Sequence, residues 1–186
     1  MEHFYQRVEG HFDFENIYSA VVNTLPDTAH IVEVGAWKGK STSYMAVEIA
    51  RSGKNITFDS VDTWEEGSSW EMVPEIGAKN LYEQYLENVA PAQQYINNKK
   101  MTSMEAVKDY EDASLDFVFI DASHEYEDVK DDIQAWIKKV KPGNYIGGHD
   151  YPGAVGVKQA VDELLPEARH VPPSSWIYQI PAVDSK

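Results

Sequence analysis

The stretch that decides the fold is residues 31–42, which read IVEVGAWKGKST. It begins with an apolar run, interrupted only by Glu33, that predicts a short buried β-strand. Gly35 and Gly39 follow and predict a sharp turn, because glycine reaches backbone conformations that other residues avoid. Helical spacing of apolar residues then predicts a helix as far as residue 51. The start of a helix has free backbone N–H groups, so this stretch predicts a site for a small ligand.

The composition predicts a folded, acidic protein. Its 186 residues are 42% hydrophobic and 12% aromatic, which is enough to bury the core of one domain. The formal net charge of −15 disfavours nucleic acid and anionic membranes as partners, because both are bound by basic surfaces. The sequence contains no cysteine, so disulfides and thiol chemistry are excluded. Neither a signal sequence nor an apolar run of membrane-spanning length is found, and a cytoplasmic protein is expected.

Strands and helices alternate along the chain. Apolar periodicity predicts strands at 31–34, 56–61, 93–97, 115–120, 145–148 and 176–180. It predicts helices at 14–25, from the glycine turn to 51, and at 81–89, 104–110, 126–140 and 157–165. This order is typical of an α/β fold in which a doubly wound, mostly parallel sheet carries helices on both faces.

Two segments fall outside this alternation. Residues 1–13 have a mixed composition and are predicted to form a loose N-terminal arm. Residues 63–80 form a polar connection that is longer than usual between a strand and a helix, so they could serve as a lid or as a partner surface. This connection contains Trp64 and Trp70. Trp64 is equally consistent with core packing and with a wall of a cofactor pocket.

Polar residues and glycine follow four of the predicted strands directly. They are Gly35, Asp62, Asp121 and the pair His149-Asp150. The carboxyl ends of parallel strands meet at one edge of the sheet, where α/β proteins bind their ligands. We therefore expect these residues to surround a single cleft.

Three ligands can be considered for the glycine turn. Residues 35–41 read GAWKGKS, one residue short of the phosphate loop G-x-x-x-x-G-K-[ST], so a P-loop-like NTPase is one alternative. A dinucleotide site would need glycine where Trp37 stands. S-adenosylmethionine has an ammonium, a carboxylate and a ribose but no phosphate, which suits Glu33 in the strand and Asp62 at the end of the next strand. A ligand- or partner-binding module without turnover is the other alternative.

Later motifs make a family resemblance specific. The run Glu33 to Gly39 with Asp62 resembles the first two motifs of the class I S-adenosylmethionine-dependent methyltransferases. Residues 121–129, which read DASHEYEDV, and 147–151, which read GGHDY, resemble one branch of that family. This branch contains the macrocin and mycinamicin sugar O-methyltransferases and the cephalosporin-biosynthesis methyltransferase-like protein. The resemblance extends over residues 14–180, and it implies a Rossmann-like class I methyltransferase fold and a single methyltransferase domain over 1–186.

The resemblance also implies which residues bind the cofactor. It assigns the methionine end to Glu33, Gly35 and Gly39, the ribose to Asp62, and the surroundings of the adenine to Ser103 and Met104. The implied activity is methyl transfer from S-adenosylmethionine to a hydroxyl of a small molecule or sugar. The acceptor pocket is not identified by any residue, and a second copy of the chain could complete it in a homo-oligomer.

Activation of a hydroxyl needs a general base or a metal ion that lowers its pKa. In the metal-dependent sugar O-methyltransferases that the chain resembles, the aspartate of D-x-x-H binds a divalent ion and the histidine is the base. These positions are Asp121 and His124 here, and Asp150 matches a second metal-binding acid. Carboxylate ligands favour Mg²⁺.

His149 stands where the resemblance leads us to expect a further acid. An imidazole ligand would favour Mn²⁺, Fe²⁺ or Zn²⁺ over Mg²⁺. Adjacent residues of a strand point to opposite sides. Only one of His149 and Asp150 is therefore expected to face the cleft, unless the chain has already turned.

Overall fold

The computed structural model describes residues 1–65 and 80–182. Most of the long polar connection predicted at 63–80, including Trp70, lies outside these ranges. Its predicted role as a lid or a partner surface therefore concerns residues outside the described part of the chain. Trp64 lies within them.

The described residues form a seven-stranded sheet with the strand order β3-β2-β1-β4-β5-β7-β6. Its strands are β1 (His30–Val34), β2 (Thr57–Asp62), β3 (Asn97–Lys100), β4 (Leu115–Ile120), β5 (Val140–Gly148), β6 (Arg169–Val171) and β7 (Ser175–Gln179). Strands β3, β2, β1, β4 and β5 are parallel to one another. Strand β7 is antiparallel to both β5 and β6. The predicted mostly parallel sheet is confirmed.

Helices cover both faces of this sheet. They are α1 (Glu15–Thr24), α2 (Lys40–Ser52), α3 (Leu81–Val89), α4 (Ser103–Ala106), α5 (Tyr126–Trp136) and α6 (Val155–Leu164). Adjacent strand residues enter different cores, because side chains alternate across a strand. Ile31 and Phe117 belong to the core that contains α1, α2 and α3, whereas Val32 and Val118 belong to the core with α5 and α6. The doubly wound α/β fold is therefore confirmed.

The third strand differs from the prediction. Residues 90–95 form a 3-10 helix, and the strand is the polar run Asn97–Lys100. This run lies at the edge of the sheet and pairs with β2 alone. An edge strand can be polar because much of it faces water, so the apolar pattern that marks the central strands is absent here. The short strand β6 was not predicted.

The N-terminal arm is packed rather than loose. Val8 and Phe12 are buried, and a 3-10 turn forms at Tyr5–Arg7. Two lysines that follow the glycine turn contact the arm: Lys38 Nζ lies 2.6 Å from a carboxylate oxygen of Glu9, and Lys40 Nζ donates to the carbonyl of Gly10 at 2.8 Å. The arm therefore lies against the turn between β1 and α2.

Candidate functional site

The glycine turn brings the ends of β1 and β4 together. Gly35 has φ 92°, and a Cβ at this position would lie 2.0 Å from the carbonyl oxygen of Asp121. Gly39 has φ 84° and precedes α2, and a Cβ there would approach the side chains of Val89 and Tyr85. Gly35 thus allows the turn to contact the Asp121 segment. The conformation of Gly39 instead allows α2 to pack closely against α3.

Asp62 holds the glycine turn in place. Its carboxylate accepts the backbone N–H groups of Ala36, Trp37 and Trp64 at 2.8, 2.9 and 2.8 Å. A carboxylate offers about four acceptor positions, so roughly one remains for a ligand hydroxyl. Binding of both ribose hydroxyls by Asp62 would therefore require one of these backbone contacts to yield.

Trp64 is a core residue. Its indole N–H donates to the carbonyl of Trp37 at 2.9 Å, and its ring lies 4.8 Å from that of Tyr82 and 4.4 Å from that of Tyr85. The side chain is buried in the core that contains α3. Of its two predicted roles, the structure supports packing.

Glu33 lies below the turn and is only 1% exposed. The hydroxyl of Tyr18 donates to its carboxylate at 2.9 Å, and Thr42 and Ser60 also donate to it. Burial raises the pKa of Glu33 to about 7, against the lowering effect of hydrogen bonds from Thr42, Ser41 and Tyr18. The predicted contact of Glu33 with the methionine end of a cofactor stays a prediction.

The two residues assigned to the adenine face different directions. Ser103 donates to Asp132 and accepts from the indole N–H of Trp136 at 2.8 Å, so its hydroxyl faces α5. Met104 is 43% exposed. Of this pair, Met104 is the side chain that is open to a ligand.

The acids and imidazoles predicted at the ends of β4 and β5 meet in one cluster. His124 Nε2 lies 2.8 Å from Asp150 Oδ2, and His149 Nδ1 lies 3.3 Å from the same oxygen. His149 Nδ1 also lies 3.5 Å from Asp121 Oδ1. These four residues line a small cleft of about 10 Å³ together with Ser123 and Trp176.

The question whether His149 or Asp150 faces the cleft is also answered. Asp150 has φ 60°, so the chain has left the extended conformation at this residue. The alternation of a strand no longer applies, and both side chains reach the cluster. The two side chains differ in exposure: His149 is buried, whereas Asp150 is partly accessible to solvent.

Hydrogen bonds dominate the electrostatics of the cluster. The hydrogen bond to Asp150 raises the pKa of His124, although burial opposes it. Burial lowers the pKa of His149, but its hydrogen bonds to Asp121 and Asp150 outweigh this effect and raise the pKa above the usual value. The pKa of Asp150 is lowered, because hydrogen bonds from both imidazoles outweigh the effect of burial. Each imidazole therefore faces a carboxylate that stabilises its protonated form.

Two groups of side chains have the spacing of metal ligands. In the first, ligand atoms of Asp121, His124 and Asp150 lie within 4.8 Å of one another. His149 was predicted to bind the same metal ion as Asp121 and Asp150. It belongs instead to a second group, with His11 and Asp13. The two predicted metal-binding acids are thus brought together, with His124 as their closest imidazole.

Two residues that contact His149 were not predicted. Asp13 Oδ1 lies 2.9 Å from His149 Nε2, and the hydroxyl of Ser174 donates to Asp13 Oδ2 at 2.6 Å. These contacts join residues 136 and 161 positions apart. No short motif carries a signal for contacts of that separation.

Comparison with known proteins identifies relatives. A family model described as a methyltransferase domain matches residues 32–151. A protein of Sinorhizobium fredii (strain NBRC 101917 / NGR234), described as the uncharacterized protein y4gI, is 32% identical over 123 residues. The match covers 64% of this chain and 13% of that protein. The chain therefore spans only a small part of the length of this curated relative.

Solved structures share the fold. The O-methyltransferase NovP has a TM-score of 0.64 and 18% identity, over 90% of this chain and 79% of that one. Cofactor-bound Rv0187 from MTB has a TM-score of 0.63 and 12% identity, over 95% and 84%. A candidate caffeoyl-CoA O-methyltransferase from Staphylococcus aureus has a TM-score of 0.63 and 13% identity, over 92% and 85%. Across residues 1–65 and 80–182, no helix combines the length and apolar character needed to cross a membrane.

Proposed function

We propose, since this chain belongs to the methyltransferase-domain family, that it transfers a methyl group to a hydroxyl oxygen of a small molecule such as a sugar. The family implies S-adenosylmethionine as the methyl donor. In this proposal, Asp121 and Asp150 bind a divalent metal ion and His124 is the general base. The narrower resemblance to the sugar O-methyltransferases belongs to the proposal as well, because the family match does not distinguish that branch.

One observation carries the proposal: Asp121 and His124 of the D-x-x-H motif lie together with Asp150 beside the glycine turn. A Cβ on Gly35 would lie 2.0 Å from the carbonyl oxygen of Asp121, so the turn and the cluster touch. Methyl transfer needs donor and acceptor within a few ångströms of each other. A donor bound on the turn would lie next to an acceptor activated by Asp121 and His124.

The residues around the turn are compatible with the donor. Gly35 lets the turn pack directly against the backbone of Asp121, and Asp62 retains roughly one acceptor position for a hydroxyl. When bound, S-adenosylmethionine supplies a methyl group on a positively charged sulfur. The acidic side chains at this edge of the sheet favour such a cation. Glu33 contributes by fixing α2 through Thr42 and α1 through Tyr18.

The carboxylates of Asp121 and Asp150 are compatible with a divalent metal ion. Carboxylate oxygens suit Mg²⁺. When bound there, such an ion lowers the pKa of an adjacent hydroxyl. His124 is placed to accept the hydroxyl proton, because its hydrogen bond to Asp150 stabilises the imidazolium that forms. The O-methyltransferases among the structural neighbours share only the fold, so the oxygen acceptor rests on this cluster.

Ligand-induced thermal shifts test the proposal. The full chain is heated with S-adenosylmethionine, S-adenosylhomocysteine, ATP or NAD, each with and without Mg²⁺. We expect the two sulfur nucleotides to raise the melting temperature, because a ligand that binds only the folded state stabilises it. Stabilisation by ATP alone would overturn the proposal in favour of an NTPase. Cofactor binding without turnover on any hydroxyl acceptor would favour a binding module.

A further inference from the structure

A second cluster of metal-ligand type lies on the other side of His149. His11 Nε2 is 3.1 Å from Asp13 Oδ2, and His149 Nε2 is 2.9 Å from Asp13 Oδ1. The ligand atoms of all three residues lie within 4.8 Å of one another. Two ligand atoms that share a single Zn²⁺ ion, each at about 2.0–2.1 Å from it, lie roughly 3 Å from each other. The three residues therefore have the spacing of a common ion.

The N-terminal arm holds its two ligands in a defined orientation. His11 and Asp13 alternate with Phe12 and Phe14, which are buried in the core. The aromatic side chains thus fix the arm on one side and leave the imidazole and the carboxylate on the other. The contact of Lys40 with the carbonyl of Gly10 anchors the start of this segment. Folding therefore restricts both ligands before any ion binds.

His149 has the orientation of a metal-bound histidine. A metal-ligating histidine usually donates the N–H of its other ring nitrogen to a carboxylate. Here Nδ1 faces Asp150 at 3.3 Å and Asp121 at 3.5 Å, while Nε2 faces Asp13. With the proton on Nδ1, the lone pair of Nε2 faces the carboxylate of Asp13, and a metal ion between them would bind both groups.

We propose that His11, Asp13 and His149 bind a divalent transition-metal ion of the Zn²⁺ type, at a site separate from the group of Asp121, His124 and Asp150. Two imidazoles and one carboxylate form a donor set that suits Zn²⁺ and is poorly matched to Mg²⁺. The hydroxyl of Ser174, which lies 3.1 Å from His149 Nε2, or a water can complete a tetrahedral site. The three carboxylates around His149 compensate the charge of the ion.

Such an ion would join the N-terminal arm to the end of β5. It would also keep the proton of His149 on Nδ1, where the proton faces Asp121 and Asp150. The ion therefore connects an element that covers the glycine turn with the residues proposed for hydroxyl activation. The site itself depends only on the contacts described here and not on the methyl-transfer reaction.

Metal titration of the full chain of 186 residues tests the site. The chain is first treated with a chelator and then titrated with Zn²⁺ against a chromophoric chelator. A parallel titration with Co²⁺ follows the visible absorption that reports ligand number and geometry. Three variants are compared with the wild type: His11→Ala removes a ligand of the proposed site, His124→Ala removes a member of the first group, and His170→Ala removes an exposed histidine outside both groups. His11 is itself exposed, so its replacement leaves the core intact.

We expect the wild type to bind one equivalent of Zn²⁺ through this site. His11→Ala should weaken binding by more than about tenfold, because even loss of an outer-shell partner costs about 10- to 100-fold. His124→Ala and His170→Ala should keep the wild-type affinity and Co²⁺ spectrum. Equal affinity of His11→Ala and the wild type would overturn the proposal. So would loss of binding in His124→Ala alone, which would place the ion in the first group. Neither readout requires turnover, so failure of this proposal is distinguishable from failure of the proposed methyl transfer.

Discussion

The amino-terminal and the carboxyl-terminal edges of the sheet, where the parallel strands begin and end, both contain buried or half-buried acids. The two edges differ in how far the acceptor positions of these acids are filled by neighbouring side chains. At the amino-terminal edge, Asp59 accepts from His30 Nε2 at 2.9 Å, from the hydroxyl of Tyr110 at 2.6 Å and from the amide of Asn97 at 2.9 Å. Its pKa is lowered, since these hydrogen bonds outweigh burial. The acceptor positions of this acid are largely filled by neighbouring side chains.

At the carboxyl-terminal edge, the acids face a cleft. Asp121 and Asp150 are partly exposed, and the side chains that they contact are two imidazoles. Both acids line the small cleft at this edge of the sheet. The comparison shows that a buried acid indicates a site only when its acceptor positions are left open. An acid with its acceptor positions filled, such as Asp59, indicates fold stability.

The largest expected effect comes from the open edge. We expect His124→Ala to reduce turnover by about 10²- to 10⁴-fold, which is the usual contribution of a general base. Cofactor affinity should be retained, because His124 contacts Asp150 and not the glycine turn. Initial rates and calorimetric binding of S-adenosylhomocysteine measure the two quantities. His170→Ala serves as the control with an exposed histidine, and wild-type turnover in His124→Ala would remove the base from the mechanism.

A smaller effect is expected from the pH dependence of Glu33, which lies beneath the open edge. In the folded state Glu33 keeps its proton up to about pH 7, whereas the ordinary pKa is 4.5. The folded state therefore binds more protons between these values, and the free energy of unfolding falls as the pH rises through this range. The contribution is about 3 kcal/mol, at 1.36 kcal/mol per pKa unit.

The variant Glu33→Gln isolates this contribution. Tyr18, which donates a hydrogen bond to Glu33, and Asp121, whose charge acts on its pKa, are both retained in the variant. Denaturant unfolding from pH 5 to 8 should show the wild type losing stability relative to Glu33→Gln as the pH rises. Parallel stability curves for the two proteins would show that Glu33 has an ordinary pKa.

The smallest of the three effects is expected at the amino-terminal edge, where the acceptor positions of Asp59 are largely filled. Asp59→Asn replaces one of the two acceptor oxygens with an amide N–H₂ group and leaves at least one donor of His30, Tyr110 or Asn97 unsatisfied. We expect a loss of about 2 kcal/mol in the free energy of unfolding, within the usual range for such a donor. Turnover and cofactor affinity should not change at temperatures where the variant is folded. A loss of turnover in the folded variant would contradict the distinction between the two edges.

Much of the fold was predictable because its strands obey simple patterns. The runs ending at Val34 and Ile120 are central, buried and apolar, so periodicity identified them. The polar edge strand Asn97–Lys100 and the short strand Arg169–Val171 gave no such signal, because little of either is buried. The packing of Phe12 was missed because its alternation with Phe14 is too short to show a period.

The candidate site was predicted less completely. The positions of Asp121 and Asp150 followed from the ends of strands, and the structure brings them together. That both His149 and Asp150 face the cleft depends on φ 60° at Asp150, which periodicity does not reveal. The partnership of His149 with Asp13 depends on folding of the whole sheet.

The hydrogen bond between Ser174 and Asp13 has a consequence for biosynthesis. It joins residues 161 positions apart, and its side chains surround His149. In the order of translation, β1, β2 and β4 precede Ser174. The surroundings of His149 are therefore completed only after Ser174 has been translated, which separates formation of the glycine turn from maturation of the imidazole–carboxylate centre.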